Sequence, residues 1–179
     1  MKLASVPENL IERVGLVCGL VPTPFLDTMV ALMLARTIMT AVKVGIFDVL
    51  DETPKSAHEI ARFCETHPDS TSKLLRALSG IGYARSNNHR YRLSPTSARW
   101  LRPNCKHSFL DGILHRFIDG RVMETYENFV RSGEPVNVFS RLTPEEWRQH
   151  LKGQRSHAML MISEVVRRVR CWGHRFWSE

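Results

Sequence analysis

The 179-residue chain is poor in cysteine, and the four it has (Cys18, Cys64, Cys105, Cys171) are widely scattered. No CxxC pair and no Cys/His pair stands at zinc-ligand spacing, so no structural zinc, and no metal site of any kind, is expected. Reduced, buried thiols in a cytoplasmic protein are the expectation. A basic and apolar leader with a cleavage site is missing from the N-terminus. Long unbroken apolar runs are missing too. Val14 to Leu50 is the most apolar region, yet Pro22, Pro24, Asp27, Arg36 and Lys43 interrupt it, short of the roughly 20 apolar residues a bilayer requires. No membrane span is expected. Acidic residues are absent from Lys73 to Arg92, where Lys73, Arg76, Arg85, Arg90 and Arg92 stand alone. The preceding stretch is the reverse: Asp48, Asp51, Glu52, Glu59, Glu65 and Asp69 face only Lys55 and Arg62. The net charge of +7 brings nucleic acid or an acidic partner into consideration. Gly80-Ile81-Gly82 is no phosphate loop, because no strand precedes it and no helix starts after it.

What the chain does contain is a helix-turn-helix with a β-wing between Ser56 and Ser94. Ser56 and Glu59 have capping-box spacing, with Ala57, Ile60 and Ala61 on the inward face. His67-Pro68-Asp69 is the turn. Ser70 or Thr71 is the expected cap of a second helix carrying Leu74, Leu75, Leu78 and Ile81. Tyr83 to Arg85 and Tyr91 to Leu93 read as a hairpin around Ser86-Asn87-Asn88-His89.

The fold class expected is mainly α: a winged helix-turn-helix with a small hairpin wing, flanking long helices and an intertwined dimer. Residues 1–24 form an N-terminal arm, mostly irregular with one short helix. Residues 25–102 form the winged-helix dimerisation core. Its helix, Phe25 to Val44, is apolar nearly all round, with Met29, Leu32, Met33, Ile38 and Met39 among its apolar positions. A domain this small does not easily bury such a helix alone, so these five are the dimer-interface candidates. Residues 103–169 form a helical extension. One long helix is expected from His107 to Arg131, weakened or closely packed at Gly112 and Gly120. A second is expected from Thr143-Pro144-Glu145-Glu146 to about Val169. Residues 170–179, with Trp172 and Trp177, continue neither pattern and form an atypical tail.

In this order the elements resemble the N-terminal dimerisation domain of the S-adenosylmethionine-dependent O-methyltransferases. The residues that carry the resemblance are Ala41 to Leu50, Ser56 to Ala61, Leu74 to Leu78, Gly82, Tyr91 to Pro95, Leu101, Trp147 and Glu164 to Val169. Together they cover roughly residues 20 to 169. The resemblance implies a winged helix that pairs two subunits and helps wall the pocket of a small aromatic substrate, rather than one that reads DNA. It also implies a methyl-donor domain beginning just after Val169, opening on a glycine-rich strand-turn. No such motif is present here, and the family's catalytic histidine has no position to map onto. The chain thus looks like a truncated methyltransferase or a stand-alone copy of its dimerisation domain. It is expected to have no catalytic residues and no cofactor of its own, S-adenosylmethionine belonging to the full-length family, and to be inactive alone. The expected partner is a second copy or a related full-length methyltransferase.

The resemblance further implies substrate-pocket candidates on the late helical part: Phe139, Trp147, Gln154, Met159 and Met161. Methionine adapts to flat ligands through its polarizable sulfur, and ordinary core packing is the competing reading. Asp111, His115 and Asp119 share one helix face, and His150 and His157 share another. A solvated stripe with a weak Asp–His pair is the expectation for the first set, and no ligand duty for the second. The alternative function is a DNA-binding regulator, with Lys73 and Arg76 on the helix entering the groove and Arg85 and Arg90 on the wing.

Overall fold

The structure is a computed structural model and describes Pro7 and residues 9–20, 22–135 and 137–169. Cys171 and the 170–179 tail, with Trp172 and Trp177, lie outside the described residues. The chain divides into two compact units, Met1–Ile38 and Met39–Glu179.

In the first unit, α1 spans Leu10–Val17 and is the short helix expected in the arm; the Asn9 side chain caps it by accepting from the Glu12 amide at 2.8 Å. Next comes a continuous helix, Thr23–Lys43, composed of α2 (Thr23–Phe25), a π-helical stretch (Leu26–Val30) and α3 (Ala31–Lys43). Pro22 is its N-cap and Pro24 lies in its first turn, where an absent N–H leaves no helical bond unmade. The prolines therefore start the helix and do not interrupt it, which corrects the expectation above. By length and composition, with a mean hydropathy of 1.6, this helix could cross a bilayer. Asp27 falls in the π-helical stretch, one turn further in than expected. Met29, Leu32, Met33 and Leu34 are exposed.

The second unit opens with the end of α3, where Met39, Ala41 and Val42 are buried. Gly45 then adopts φ +77°, a left-handed conformation that favours glycine, and turns the chain into α4 (Ile46–Val49). α5 (Ala57–Phe63) begins on a complete capping box: the Ser56 hydroxyl accepts from the Glu59 amide at 3.2 Å, and the Glu59 carboxylate accepts from the Ser56 amide at 2.6 Å. Those bonds hold the Glu59 carboxyl below its ordinary range. α6 spans Pro68–Gly80. It starts at Pro68 with His67 as N-cap, so neither Ser70 nor Thr71 caps it. Thr71 is instead buried, its hydroxyl 2.7 Å from that of Thr66.

β2 (Ala84–Asn87) and β3 (Arg90–Leu93) make the wing, joined by Asn88 and His89 with φ of 46° and 58°. Two consecutive positive φ values are those of a type I′ turn, whose twist matches paired strands. The sheet has a third strand beyond the two of the expected hairpin. β1 (Lys55–Ser56) pairs antiparallel with β3, giving the order β1-β3-β2. Two residues are too few to show a period, so no alternation marks β1 in advance. α7 (Pro95–Trp100) follows, capped by Ser94 as expected.

These elements close over one core. Ile46, Phe47, Ile60, Leu75 and Leu78 are fully buried at its centre, with Leu50, Tyr91, Leu93 and Leu101 around them. Removing each such apolar side chain from water contributes about 1.5–3 kcal/mol.

The extension departs from expectation twice: its first helix starts at Leu110 rather than His107, and it is broken in two. α8 (Leu110–Glu124) and α9 (Tyr126–Ser132) are separate helices. The break is at Thr125, whose amide and hydroxyl both donate to the Val122 carbonyl, at 3.1 and 2.7 Å. That three-residue bond tightens the last turn and ends α8. A short 3₁₀ turn, Phe139–Arg141, precedes α10 (Pro144–Val169). Thr143 and Glu146 cap α10 reciprocally, at 2.8 and 3.2 Å. A Cβ on Gly112 would meet the Phe109 ring at 2.6 Å, whereas one on Gly120 would meet nothing within 4 Å. Of the two glycines marked for close packing, only Gly112 shows it.

Candidate functional site

α8 and α10 pack along each other, and a glycine lies in the contact. Gly153 on α10 is buried against His115 on α8. A Cβ at Gly153 would lie 2.4 Å from the Cβ and 2.7 Å from the Cγ of His115. This absent side chain lets the imidazole into the seam, where it is only 4% exposed. His115 Nε2 lies 2.7 Å from His150 Nδ1, and its Nδ1 lies 3.5 Å from the Asp119 carboxylate. Arg116 reaches Asp119 at 2.7 Å, His115 Nδ1 at 3.4 Å and His157 Nε2 at 2.6 Å. Burial depresses the His115 pKa, and Asp119 only partly restores it.

The solvated stripe expected at Asp111, His115 and Asp119 is therefore corrected at His115, which is inside the seam. His150 and His157, for which no ligand duty is expected, both join His115. One signal for this was present in the sequence: Gly153 in the middle of α10 is a costly residue unless another element packs closely against it. Among the described residues no group of three or more His, Cys, Asp or Glu is arranged to hold a metal ion.

Two of the substrate-pocket candidates come together at this seam. The Phe139 and Trp147 rings have centroids 6.4 Å apart and lie 5.1 and 5.3 Å from the His150 ring. Both are partly exposed, so the three rings present an aromatic wall at the surface. Gln154 is exposed beside Gly153. Met159 lines a different cleft, with Cys105, Lys106, His107, Lys152 and Arg155. Met161 is exposed. Further ties across the seam are an Arg121–Glu146 ion pair at 2.9 Å and a bond from Gln149 to the Asp111 carbonyl at 3.2 Å.

The interface candidates separate by position. Leu32 and Met33 are 63% and 61% exposed and Met29 is also exposed, while Ile38 is half-buried and Met39, at 8%, is inside. Lys73, Arg76 and Arg85 are exposed. Arg90 is committed to the fold, donating twice to the Pro54 carbonyl at 3.1 and 2.9 Å and facing Glu59 at 3.5 Å.

The methyl donor finds no fit among the described residues. Their sheet is three short antiparallel strands, without the parallel strand–helix crossover at whose turn a nucleoside cofactor is held.

Comparison with known proteins agrees with this architecture. A family model described as the O-methyltransferase dimerisation domain matches residues 26–103. Among solved structures, LaPhzM aligns with a TM-score of 0.72 and 21% identity, over 82% of this chain and 48% of its own. Human N-acetylserotonin methyltransferase, solved with S-adenosylmethionine, aligns with a TM-score of 0.71 and 16% identity, over 91% of this chain and 50% of its own. An O-methyltransferase family protein from Burkholderia thailandensis aligns with a TM-score of 0.60 and 15% identity, over 93% and 45%. The chain thus spans about half the length of the structures it matches. No curated protein sequence matches it. The winged helix and the helix leading into it, residues 26–103, match the O-methyltransferase dimerisation domain.

Proposed function

We propose that this chain acts as the dimerisation and substrate-wall module of a small-molecule O-methyltransferase, without transferring methyl groups by itself. The observation that carries the reading is the run of exposed apolar residues on the helix that opens the matched domain. Met29, Leu32 and Met33 stand open to water there. An exposed apolar patch of this kind is a contact surface, and the match to a dimerisation domain supports a second copy, or a related methyltransferase, as what covers it. The same reading takes the apolar Thr23–Lys43 helix as a pairing element of a cytoplasmic protein rather than a membrane span. Substrate contact falls to Phe139, Trp147 and Gln154 at the seam, with Met159 and Met161 further along α10, and a flat aromatic acceptor suits the rings and the thioethers.

Sedimentation velocity at micromolar concentration tests the pairing. A dimer is expected, shifted to monomer by the double substitution Leu32→Glu and Met33→Glu; a monomeric parent protein refutes the reading. Calorimetry with S-adenosylmethionine is expected to show no binding by this chain alone.

A further inference from the structure

The wing carries a charge arrangement that neither pairing nor substrate contact uses. Arg85 on β2 stands directly opposite Arg92 on β3. Two residues nearer the tip, on the same face, Asn87 stands opposite Arg90. Like charges directly opposite on paired strands destabilise a hairpin, so this pair costs the fold something. Among the described residues no carboxylate forms an ion pair with Arg85 or Arg92, although most arginines of α8 to α10 have one. The two guanidinium groups, together with Arg90, line a cleft of about 690 Å³. Ser79, Ser86 and Ser94 line it too, the Ser79 hydroxyl bonding to the Leu75 carbonyl and the Ser94 hydroxyl capping α7, and no acidic residue does. The cleft is bounded by the end of α6, whose last carbonyls would ordinarily repel an anion. Here the amides of Ile81, Gly82 and Tyr83 already bond to the carbonyls of Ala77, Ser79 and Leu78.

We infer that this cleft is an anion-binding site for a small soluble ligand bearing a diphosphate or an equivalent pair of phosphate charges. Adjacent guanidiniums donate in parallel to phosphate oxygens, and two of them match a ligand of charge near −2. Arg90 holds one rim in place through Pro54. A concave site of this size accepts a small molecule. The inference stands independently of the dimerisation reading.

Isothermal calorimetry with inorganic pyrophosphate tests it, using the full chain and the variants Arg85→Gln, Arg92→Gln and Arg76→Gln. Arg76 is exposed on α6 and does not line the cleft. Losing one charge-assisted bond predicts about tenfold weaker binding, or more, in each wing variant, and no change in Arg76→Gln. Both wing variants are expected to melt no lower than the parent, because each removes one of two facing like charges, and this separates lost binding from lost folding. Absence of binding at millimolar pyrophosphate overturns the inference, as does an equal loss in Arg76→Gln. A short DNA duplex or phosphatidylglycerol vesicles that bind more tightly than pyrophosphate, with Arg76→Gln weakening them as much as the wing variants do, also overturn it, in favour of an extended basic surface.

Discussion

His115 Nε2 and His150 Nδ1 stand 2.7 Å apart across the seam between α8 and α10. One ring must donate and the other accept, so at least one of the facing nitrogens is unprotonated. Protonating the acceptor would put two N–H groups nose to nose in a site that also contains Arg116 and His157, with the Asp119 carboxylate partly offsetting the charge.

The pairing makes stability depend on pH in a defined direction. Burial lowers the folded-state pKa of His115 from the ordinary 6.5. Below that ordinary value the unfolded chain binds more protons than the folded one, so acid favours unfolding. Stability is therefore full above about pH 6.5 and falls as the pH drops toward the folded value, by up to about 1.4 kcal/mol per pH unit for one proton. Thermal melts from pH 7.5 to 5 should show the fall, and His115→Phe should flatten it. An unchanged slope in that variant would sink the assignment to His115.

Gly153→Ala and Gly120→Ala should move stability in opposite directions. The first places a methyl 2.4 Å from His115 on the facing helix, and overpacking of this kind costs about 1–3 kcal/mol. The second meets nothing within 4 Å inside α8 and gains about 0.5–1 kcal/mol of helix propensity. Urea titrations of both variants read the contrast directly.

Leu75→Ala should be the more damaging of two leucine truncations. Leu75 is fully buried in the core and Leu32 is 63% exposed. A buried leucine cut to alanine costs about 2–5 kcal/mol through lost transfer energy and the cavity left behind. Leu32→Ala should leave the unfolding midpoint of a dilute, monomeric sample nearly unchanged, and should weaken self-association in sedimentation.

Ser56→Ala removes the hydroxyl that accepts from the Glu59 amide. The loss expected is about 0.5–2 kcal/mol. Ser56→Asp should recover most of it, because a carboxylate can accept the same amide. Chemical denaturation of the pair distinguishes a lost cap from a general surface effect.

The parts of the fold legible from sequence are those set by residues close together along the chain. The Ser56/Glu59 box, the Ser94 cap, the Gly45 turn and the Thr143-Pro144 start of α10 all depend on spacings of a few residues, and all lie where the pattern put them. The N-cap of α6 was misplaced because Pro68 initiates a helix as well as a hydroxyl does. β1 is not legible because its partners are 34 and 36 positions away and its length shows no alternation. The break at Thr125 was hidden inside an apolar pattern that continues through it. At the candidate site, Phe139 and Trp147 could be named one by one, but their convergence on His150 could not. The seam histidines were invisible as a set, since His115 and His150 belong to different helices and only the missing Cβ of Gly153 brings them together.

Ser56 is a member of two structures at once. It pairs with Arg90 in the sheet and caps the first helix of the helix-turn-helix. The wing and that helix consequently share a hinge pin. A slip of one residue in the strand register would withdraw the cap, so a disturbance at the wing cannot stay local. It must either be resisted there or be passed to α5 and the core residues Ile60 and Ala61 on its inner face.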